Sequence, residues 1–260
     1  MGVFTTEITS DLLPSDNPLH QRLLKPYIIA SKMISGHLLE LGCGEGRGVE
    51  ELSGGVQSYT GIDKIGVVID SLRSRFPGHS FHRMNFPPLK GIADSRFDAV
   101  IAFQVIEHIE DDRLFLQEIY RVLRPGGKAL LSTPNRNFSL TRNPWHVREY
   151  LPGEFEALSR SVFDEVEIMG IAGNPKVMEY HQLNRKSVER ITRWDFMQLQ
   201  YRLPAWILRW PYELLNRMNR MRLRKSDQSL VAGITADDYY LSPDPEESLD
   251  LMGIFTRAQA

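Results

Sequence analysis

The sequence predicts a doubly wound α/β fold, and three observations support this prediction. Short apolar runs alternate with amphipathic stretches between residues 37 and 134, which is the rhythm of a β-α-β chain. Residues 99–103 are apolar throughout rather than alternating, as expected when helices cover both faces of a parallel sheet. Residues 172–248 break the rhythm, so we interpret them as an inserted helical cap.

Composition narrows the class of protein before any motif is considered. The chain has 260 residues, and its 31 Lys and Arg against 33 Asp and Glu give no electrostatic reason to expect a nucleic-acid partner. Cys43 is the only cysteine, which excludes an intrachain disulfide or a cysteine-rich zinc site. The polar, acidic N-terminus lacks the features of a signal peptide, and no apolar run approaches membrane-spanning length. We therefore expect a cytoplasmic protein.

Four segments are predicted along the chain. Residues 1–35 form leading helices, interrupted at Pro26. Residues 36–171 form the α/β core, residues 172–248 the cap, and residues 249–260 the final strand of the core. Within the cap, residues 181–225 hold eleven Lys and Arg against three Asp and Glu, together with three of the four tryptophans.

A strand that turns through three alternating glycines is the most informative motif. It reads Glu40-Leu41-Gly42-Cys43-Gly44-Glu45-Gly46, and glycine lets a ligand approach the main chain without a Cβ in the way. The dinucleotide fingerprint G-x-G-x-x-G is not met, because Arg47 stands at the sixth position. The motif favours another nucleotide-like ligand, with an ordinary tight turn as the alternative.

Asp63 ends the next predicted strand, about 20 residues after the first glycine. A carboxylate at that distance is typical of a ribose-binding position. A lone Asp at a strand end is more often a helix N-cap. The position relative to the glycine turn favours ribose.

Further blocks follow in order, and together they carry a family resemblance. They are Phe97-Asp98-Ala99-Val100-Ile101-Ala102-Phe103-Gln104-Val105-Ile106-Glu107-His108-Ile109, Val122-Leu123-Arg124-Pro125-Gly126-Gly127 and Ser132-Thr133-Pro134-Asn135. Over residues 36–171 the chain resembles the class I S-adenosylmethionine (SAM)-dependent methyltransferases, especially the bacterial group related to ubiquinone-biosynthesis O-methyltransferases. The resemblance implies SAM as cofactor, S-adenosylhomocysteine (SAH) as product, and a mostly parallel seven-stranded Rossmann-like sheet whose last strand is antiparallel.

The resemblance also implies which residues bind the cofactor. Glu40 and the turn of Gly42, Cys43, Gly44 and Gly46 would hold the methionine part, Asp63 the ribose, and Lys64 would lie beside the adenine. Asn85 and Phe86 match the place where the family often has an acid near the adenine amino group, and an amide oxygen can still accept that hydrogen bond. Phe103, Gln104 and Val105 would lie beside the methyl donor at the end of the fourth strand.

His108 is the leading candidate for a catalytic base, because imidazole titrates near neutral pH and the residue follows the fourth strand. The alternative is that it anchors the next helix. A metal site at Glu107 and His108 is disfavoured, since neighbouring residues rarely point at one ion and the sequence offers no third ligand.

His146, Arg148 and Tyr150 follow the fifth strand, on the side where acceptors enter in this family, and are candidate substrate-binding residues. A structured loop around Trp145 is the alternative.

The aromatic and basic segment 201–225 has two interpretations. Interfacial helices mix these residue types, which would allow contact with a membrane or a lipid-linked acceptor. A cap over the acceptor pocket accounts for the same aromatics, among them Trp194, Trp206, Trp210 and Tyr212.

The sequence thus predicts a SAM-dependent methyltransferase that acts on a small-molecule or lipid- or glycan-linked acceptor, at oxygen. An RNA-modifying methyltransferase and a noncatalytic SAM-binding protein are the alternatives. The first alternative predicts salt-sensitive RNA binding, and the second predicts SAM binding without turnover.

Overall fold

Eight strands form a single sheet in the part of the chain that the structure describes. The computed structural model describes residues 13–193 and 199–259. Its strands are β1 (His37–Leu41), β2 (Ser58–Asp63), β3 (Ser80–Arg83), β4 (Phe97–Phe103), β5 (Leu123–Pro134), β6 (Glu165–Gly173), β7 (Tyr239–Ser242) and β8 (Asp250–Thr256). They pair in the order β3-β2-β1-β4-β5-β8-β6-β7. The first five are parallel, while β8 lies antiparallel between β5 and β6, which confirms the predicted α/β class and antiparallel last strand.

The strand count corrects the expected seven-stranded sheet. The additional strand, β7, pairs antiparallel with residues 170–173 at the end of β6. It belongs to the segment that was predicted as cap. Because β6 extends to Gly173, its outer edge would otherwise carry unpaired backbone groups, and β7 satisfies them.

Helices occupy the rest of the inserted segment and the spaces between the strands. They are α1 (Asn17–Ala30), α2 (Arg47–Leu52), α3 (Gly66–Arg75), α4 (Asp112–Val122), α5 (Pro152–Arg160), α6 (Pro175–Thr192), α7 (Leu199–Arg202), α8 (Ala205–Ser226) and α9 (Gln228–Gly233). Helix α1 is continuous through the buried Pro26, so the predicted interruption there is absent. Pro26 is buried, and packing of the adjacent Tyr27 in the core offsets the hydrogen bond that proline removes.

Two apolar cores separate the sheet from its helices. Side chains alternate along a strand, so Leu38 faces one core and Leu39 the other. The first core packs under α1, α2 and α3. The second packs under α4, whose start is capped by Asp111 accepting from the Leu114 N–H at 2.9 Å, and under α5.

An ion pair joins the first helix to the last strand. The Arg22 guanidinium on α1 donates from Nε and Nη2 to the two carboxylate oxygens of Asp250 at 2.6 Å each, and Nη2 also donates to the Leu249 carbonyl at 2.8 Å. The Asp250 carboxylate is almost fully buried. Burial alone would lower the pKa of Arg22, but the Asp250 charge reverses the direction and raises it.

We predict that Asp250→Asn lowers the unfolding free energy by about 3 kcal/mol, because it leaves the Arg22 charge without its buried counter-charge. Chemical denaturation followed by circular dichroism measures this loss. The matched change Asp237→Asn, at an exposed position just before β7, should leave stability within about 0.5 kcal/mol. Equal effects of the two substitutions would contradict the importance of this ion pair.

Candidate functional site

The glycine turn lies between β1 and α2 and has the backbone geometry that its sequence predicts. Gly42 has φ +76°, and a Cβ there would lie 2.5 Å from Val105 Cγ2. Gly44 has φ +48°, and no atom lies within 4 Å of its Cβ position. The absence of a side chain at Gly42 therefore lets the turn contact Val105, just past the end of β4. Gly44 leaves open space beside the main chain.

Asp63 ties this turn to the neighbouring strand. Its Oδ2 accepts from the Gly44 N–H at 3.0 Å, and its Oδ1 accepts from the Ile65 N–H at 2.9 Å. The side chain is buried at the carboxyl end of β2. Each carboxylate oxygen retains a second lone pair, so the group can still accept from a ligand hydroxyl.

Glu40 is a buried residue of β1 and does not enter the open space beside Gly44. Its two carboxylate oxygens accept from the hydroxyls of Tyr27, at 2.7 Å, and of Tyr59. Burial raises the pKa of Glu40 to about 8, although the Tyr27 hydrogen bond and the Arg47 charge act in the opposite direction. Glu40 therefore joins β1 to Tyr27 on α1 and to Tyr59 on β2. Cys43 in the turn is also buried, and burial raises the pKa of its thiol.

The other predicted cofactor residues are distributed around the turn. Lys64 and Asn85 are exposed past the ends of β2 and β3, and Gly46 is the N-cap residue just before α2. Phe86 is half-buried and stacks on Phe115 with a ring-centroid distance of 5.8 Å. Phe103 is buried and packs edge-on against Tyr27 at 4.8 Å.

Gln104 stands where β4 ends. It has φ +57°, and its N–H donates to the Ser132 carbonyl at 2.8 Å. Its amide Nε2 lies 3.4 Å from both Ser132 Oγ and Asp250 Oδ1. Gln104 therefore joins the predicted cofactor region to the ion pair of Arg22 and Asp250.

A cavity of about 310 Å³ opens beside Gln104, and we call it the cap cavity. Its wall comes from α1, the loop after β4, residues 134–149, α6 and α8. Apolar side chains such as Leu19, Phe138 and Val177 alternate with polar ones such as Tyr212 and Asn216. Such a mixed concave surface is typical of a small-molecule site.

Two histidines meet in the wall of the cap cavity. The His108 and His146 rings pack edge-on with centroids 4.9 Å apart. His108 Nδ1 lies 2.9 Å from the Trp145 carbonyl oxygen, a contact that assigns the proton to Nδ1 and leaves Nε2 as the basic nitrogen. His146 Nδ1 lies 2.6 Å from Glu149 Oε1, and its Nε2 lies 2.7 Å from Asn143 Nδ2.

Glu107 lies under these rings and is fully buried. Its Oε2 accepts from Thr133 Oγ1 at 3.0 Å, whereas Oε1 has no hydrogen-bond partner among the described residues. Burial raises the pKa of Glu107 to about 7, against the opposing effects of His146 and Thr133. The cavity wall thus contains a carboxyl group that titrates near neutrality.

Glu107, His108 and His146 also offer ligand atoms that lie within 4.8 Å of one another. The sequence alone showed no third ligand beside Glu107 and His108, and the fold supplies His146. Both ring nitrogens of His146 already have protein partners in Asn143 and Glu149. We therefore interpret the cluster as a polar wall rather than a metal centre.

Arg148 and Tyr150, the other two predicted substrate-binding residues, do not line the cap cavity. The exposed Arg148 pairs with Asp112 through Nη1, and the Tyr150 hydroxyl donates to the same carboxylate at 2.9 Å. Tyr150 is buried in the core under α4 and α5.

Several cavity residues were missed by the sequence reasoning. The only sequence signal for Glu149, which contacts His146, was its position three residues after that histidine. Arg22, Tyr180 and His181 lie on α1 and α6, far from any motif, and burial lowers the pKa of His181 to about 4. Of the predicted cap aromatics, Tyr212 lines the cavity, Trp206 and Trp210 are exposed, and Trp194 lies outside the described residues.

We predict that stability depends on pH through Glu107. Its pKa of about 7 exceeds the ordinary value of 4.5, so between these values the folded protein keeps a proton that the unfolded chain releases. The free energy of unfolding should therefore fall as pH rises from 5 to 8. Glu107→Gln should reduce this fall by on the order of 2 kcal/mol, measured by urea denaturation at both pH values. Exposed Glu110→Gln is the control, and a Glu107→Gln curve that parallels the wild type would contradict the assignment.

Comparison with known proteins supports the class of fold and activity. The family model described as a methyltransferase domain matches residues 39–131. A probable S-adenosylmethionine-dependent methyltransferase of Mycolicibacterium smegmatis is 30% identical over 239 residues, which cover 88% of this chain and 84% of that protein. A ubiquinone biosynthesis O-methyltransferase of Pseudomonas aeruginosa is 27% identical over 168 residues, or 56% of this chain and 72% of that enzyme.

A solved structure shows the same fold. It is a SAM-dependent methyltransferase, possible histamine N-methyltransferase, from Thermotoga maritima, which superposes with a TM-score of 0.57 at 15% identity and covers 92% of this chain and 91% of that one. The resemblance seen in the sequence motifs is thereby confirmed. Because the M. smegmatis relative aligns over most of both chains, this chain belongs to the SAM-dependent methyltransferase family, with SAM as its cofactor.

Proposed function

We propose that this enzyme transfers the methyl group of SAM to a hydroxyl of a small-molecule or lipid- or glycan-linked acceptor seated in the cap cavity. The main support for this proposal is that the glycine turn and the cap cavity adjoin each other. The glycine turn contacts Val105 through Gly42, and Gln104, one residue earlier, lines the cap cavity. A cofactor on one side and an acceptor on the other would therefore meet at the end of β4.

The cofactor side has the features that SAM requires. The open space at Gly44 admits a ligand against the main chain, and the Asp63 carboxylate can accept from ribose hydroxyls. Lys64, Asn85 and Phe86 extend from this point along the strand ends. When bound, SAM supplies a methyl group already activated by its sulfonium, so the protein mainly has to align the acceptor and exclude water.

The polar wall of the cavity favours oxygen as the atom methylated. A hydroxyl must lose its proton as it attacks, whereas a neutral amine attacks through its lone pair without a base. His108 presents Nε2 as a basic nitrogen in a wall that also holds the Glu107 carboxyl. We assign His108 as the base that takes the hydroxyl proton, and His146 as an acceptor-contacting residue held in place by Glu149 and Asn143.

We predict that His108→Ala lowers the rate of methyl transfer by about a hundredfold and leaves SAH affinity unchanged, because it removes the proton acceptor but no predicted cofactor contact. Transfer of labelled methyl from SAM into cell-extract fractions, separated into lipid, small-molecule and RNA pools, measures the rate. SAH calorimetry measures affinity.

The matched control is His37→Ala, at the start of β1 and therefore at the opposite end of the strands from the cavity. An unchanged rate in His108→Ala would remove this residue from the mechanism. Label in the RNA pool would replace the proposed acceptor with RNA, and SAH binding without label in any pool would favour a noncatalytic SAM-binding protein.

A further inference from the structure

One face of α8 is apolar and exposed to solvent. Trp206 and Trp210 are 72% and 75% exposed, and they follow each other by one helical turn. Five further large apolar side chains of the same helix are exposed: Ile207, Leu214, Leu215, Met218 and Met221. Spacings of three and four residues place most of them in one continuous stripe along the helix. Solvated apolar stripes of this size commonly mark an interaction surface.

The same helix carries a strong positive charge. Six of its residues are Lys or Arg, and Glu213 is its one acid. Arg217, Arg222 and Lys225 are exposed beside the apolar stripe. A partner for this face should therefore combine an apolar interior with a negatively charged surface, which is the chemistry of an anionic lipid bilayer.

The opposite face of α8 is held by specific contacts, so the orientation of the helix is well defined. Asn219 is buried, donates to Asn184 Oδ1 at 2.7 Å and accepts from Ser187 Oγ, both on α6. Arg220 pairs with Asp16 at 3.3 Å. Tyr212, Asn216, Asn219 and Arg220 line the cap cavity. A single helix thus separates the cavity from the exposed stripe.

We propose that the outer face of α8 docks on anionic bilayers, and that the acceptor in the cap cavity is consequently a lipid-borne molecule. The assignment of the acceptor rests on the proposed function, whereas the docking does not. Within the described residues no helix is long and apolar enough to cross a bilayer, so the contact is peripheral. A nucleic-acid partner is disfavoured because aliphatic Leu and Met side chains lie between the tryptophans and basic residues.

Vesicle flotation tests the docking. The full-length protein is mixed with vesicles of phosphatidylcholine alone or of an equimolar mixture with phosphatidylglycerol. The wild type should float with the anionic vesicles only. Both Trp206→Gln/Trp210→Gln and Arg217→Gln/Arg222→Gln/Lys225→Gln should weaken binding at least tenfold, because each removes one of the two contributions to interfacial binding.

Matched controls change the same residue types elsewhere on the surface. Val67→Gln/Tyr240→Gln removes exposed apolar side chains, and Lys90→Gln/Arg113→Gln/Lys128→Gln removes three exposed positive charges, so both should float as the wild type does. Circular dichroism confirms folding of each variant. Failure of the wild type to float, equal loss in the α8 variants and the controls, or a preference for an RNA oligonucleotide over vesicles would overturn the proposal.

SAH calorimetry on the same samples separates this proposal from the proposed function. Flotation without SAH binding would leave the docking intact and remove the methyl-transfer assignment. SAH binding without flotation would leave the methyltransferase assignment and overturn the docking.

Discussion

The position of the site depends on one topological constraint, the reversal of strand order between β1 and β4. These strands are parallel neighbours, yet the chain leaves β1 toward β2 and leaves β4 toward β5, on opposite sides. Their carboxyl ends therefore cannot both be covered by the same connection, and a crevice opens between them. The glycine turn occupies one wall of that crevice, and residues 104–108 occupy the other.

The cavity beside the crevice results from additions to this sheet. Helix α1 is attached to β8 through Arg22 and Asp250, while α6 and α8 belong to the long connection between β6 and β8. These helices close the space next to Gln104 with residues that belong to no methyltransferase motif. The proposed cofactor region and the proposed acceptor region are thus built by different parts of the chain, so one can vary while the other is kept.

The glycine turn and Asp63 were easier to predict from the sequence than the cap cavity, for a physical reason. The glycine turn and Asp63 depend on local backbone geometry, which a short motif encodes, and the structure brings them together through the Gly44 hydrogen bond. The cavity depends on helices far apart in sequence. Proximity in sequence did not show that Arg148 and Tyr150 contact Asp112 rather than line the cavity. The aromatic composition of residues 239–242 did not reveal that they extend the sheet as β7.

The most direct test of the central claim is the affinity for SAH, measured by calorimetry, when the Asp63 carboxylate is removed. Asp63→Ala should weaken SAH binding by about 2 kcal/mol, or roughly thirtyfold, since a charged hydrogen-bond acceptor at the end of β2 is lost. Asp70→Ala, at an exposed position on α3, should bind SAH as the wild type does. A folded Asp63→Ala protein with unchanged SAH affinity would place the cofactor elsewhere and contradict the account.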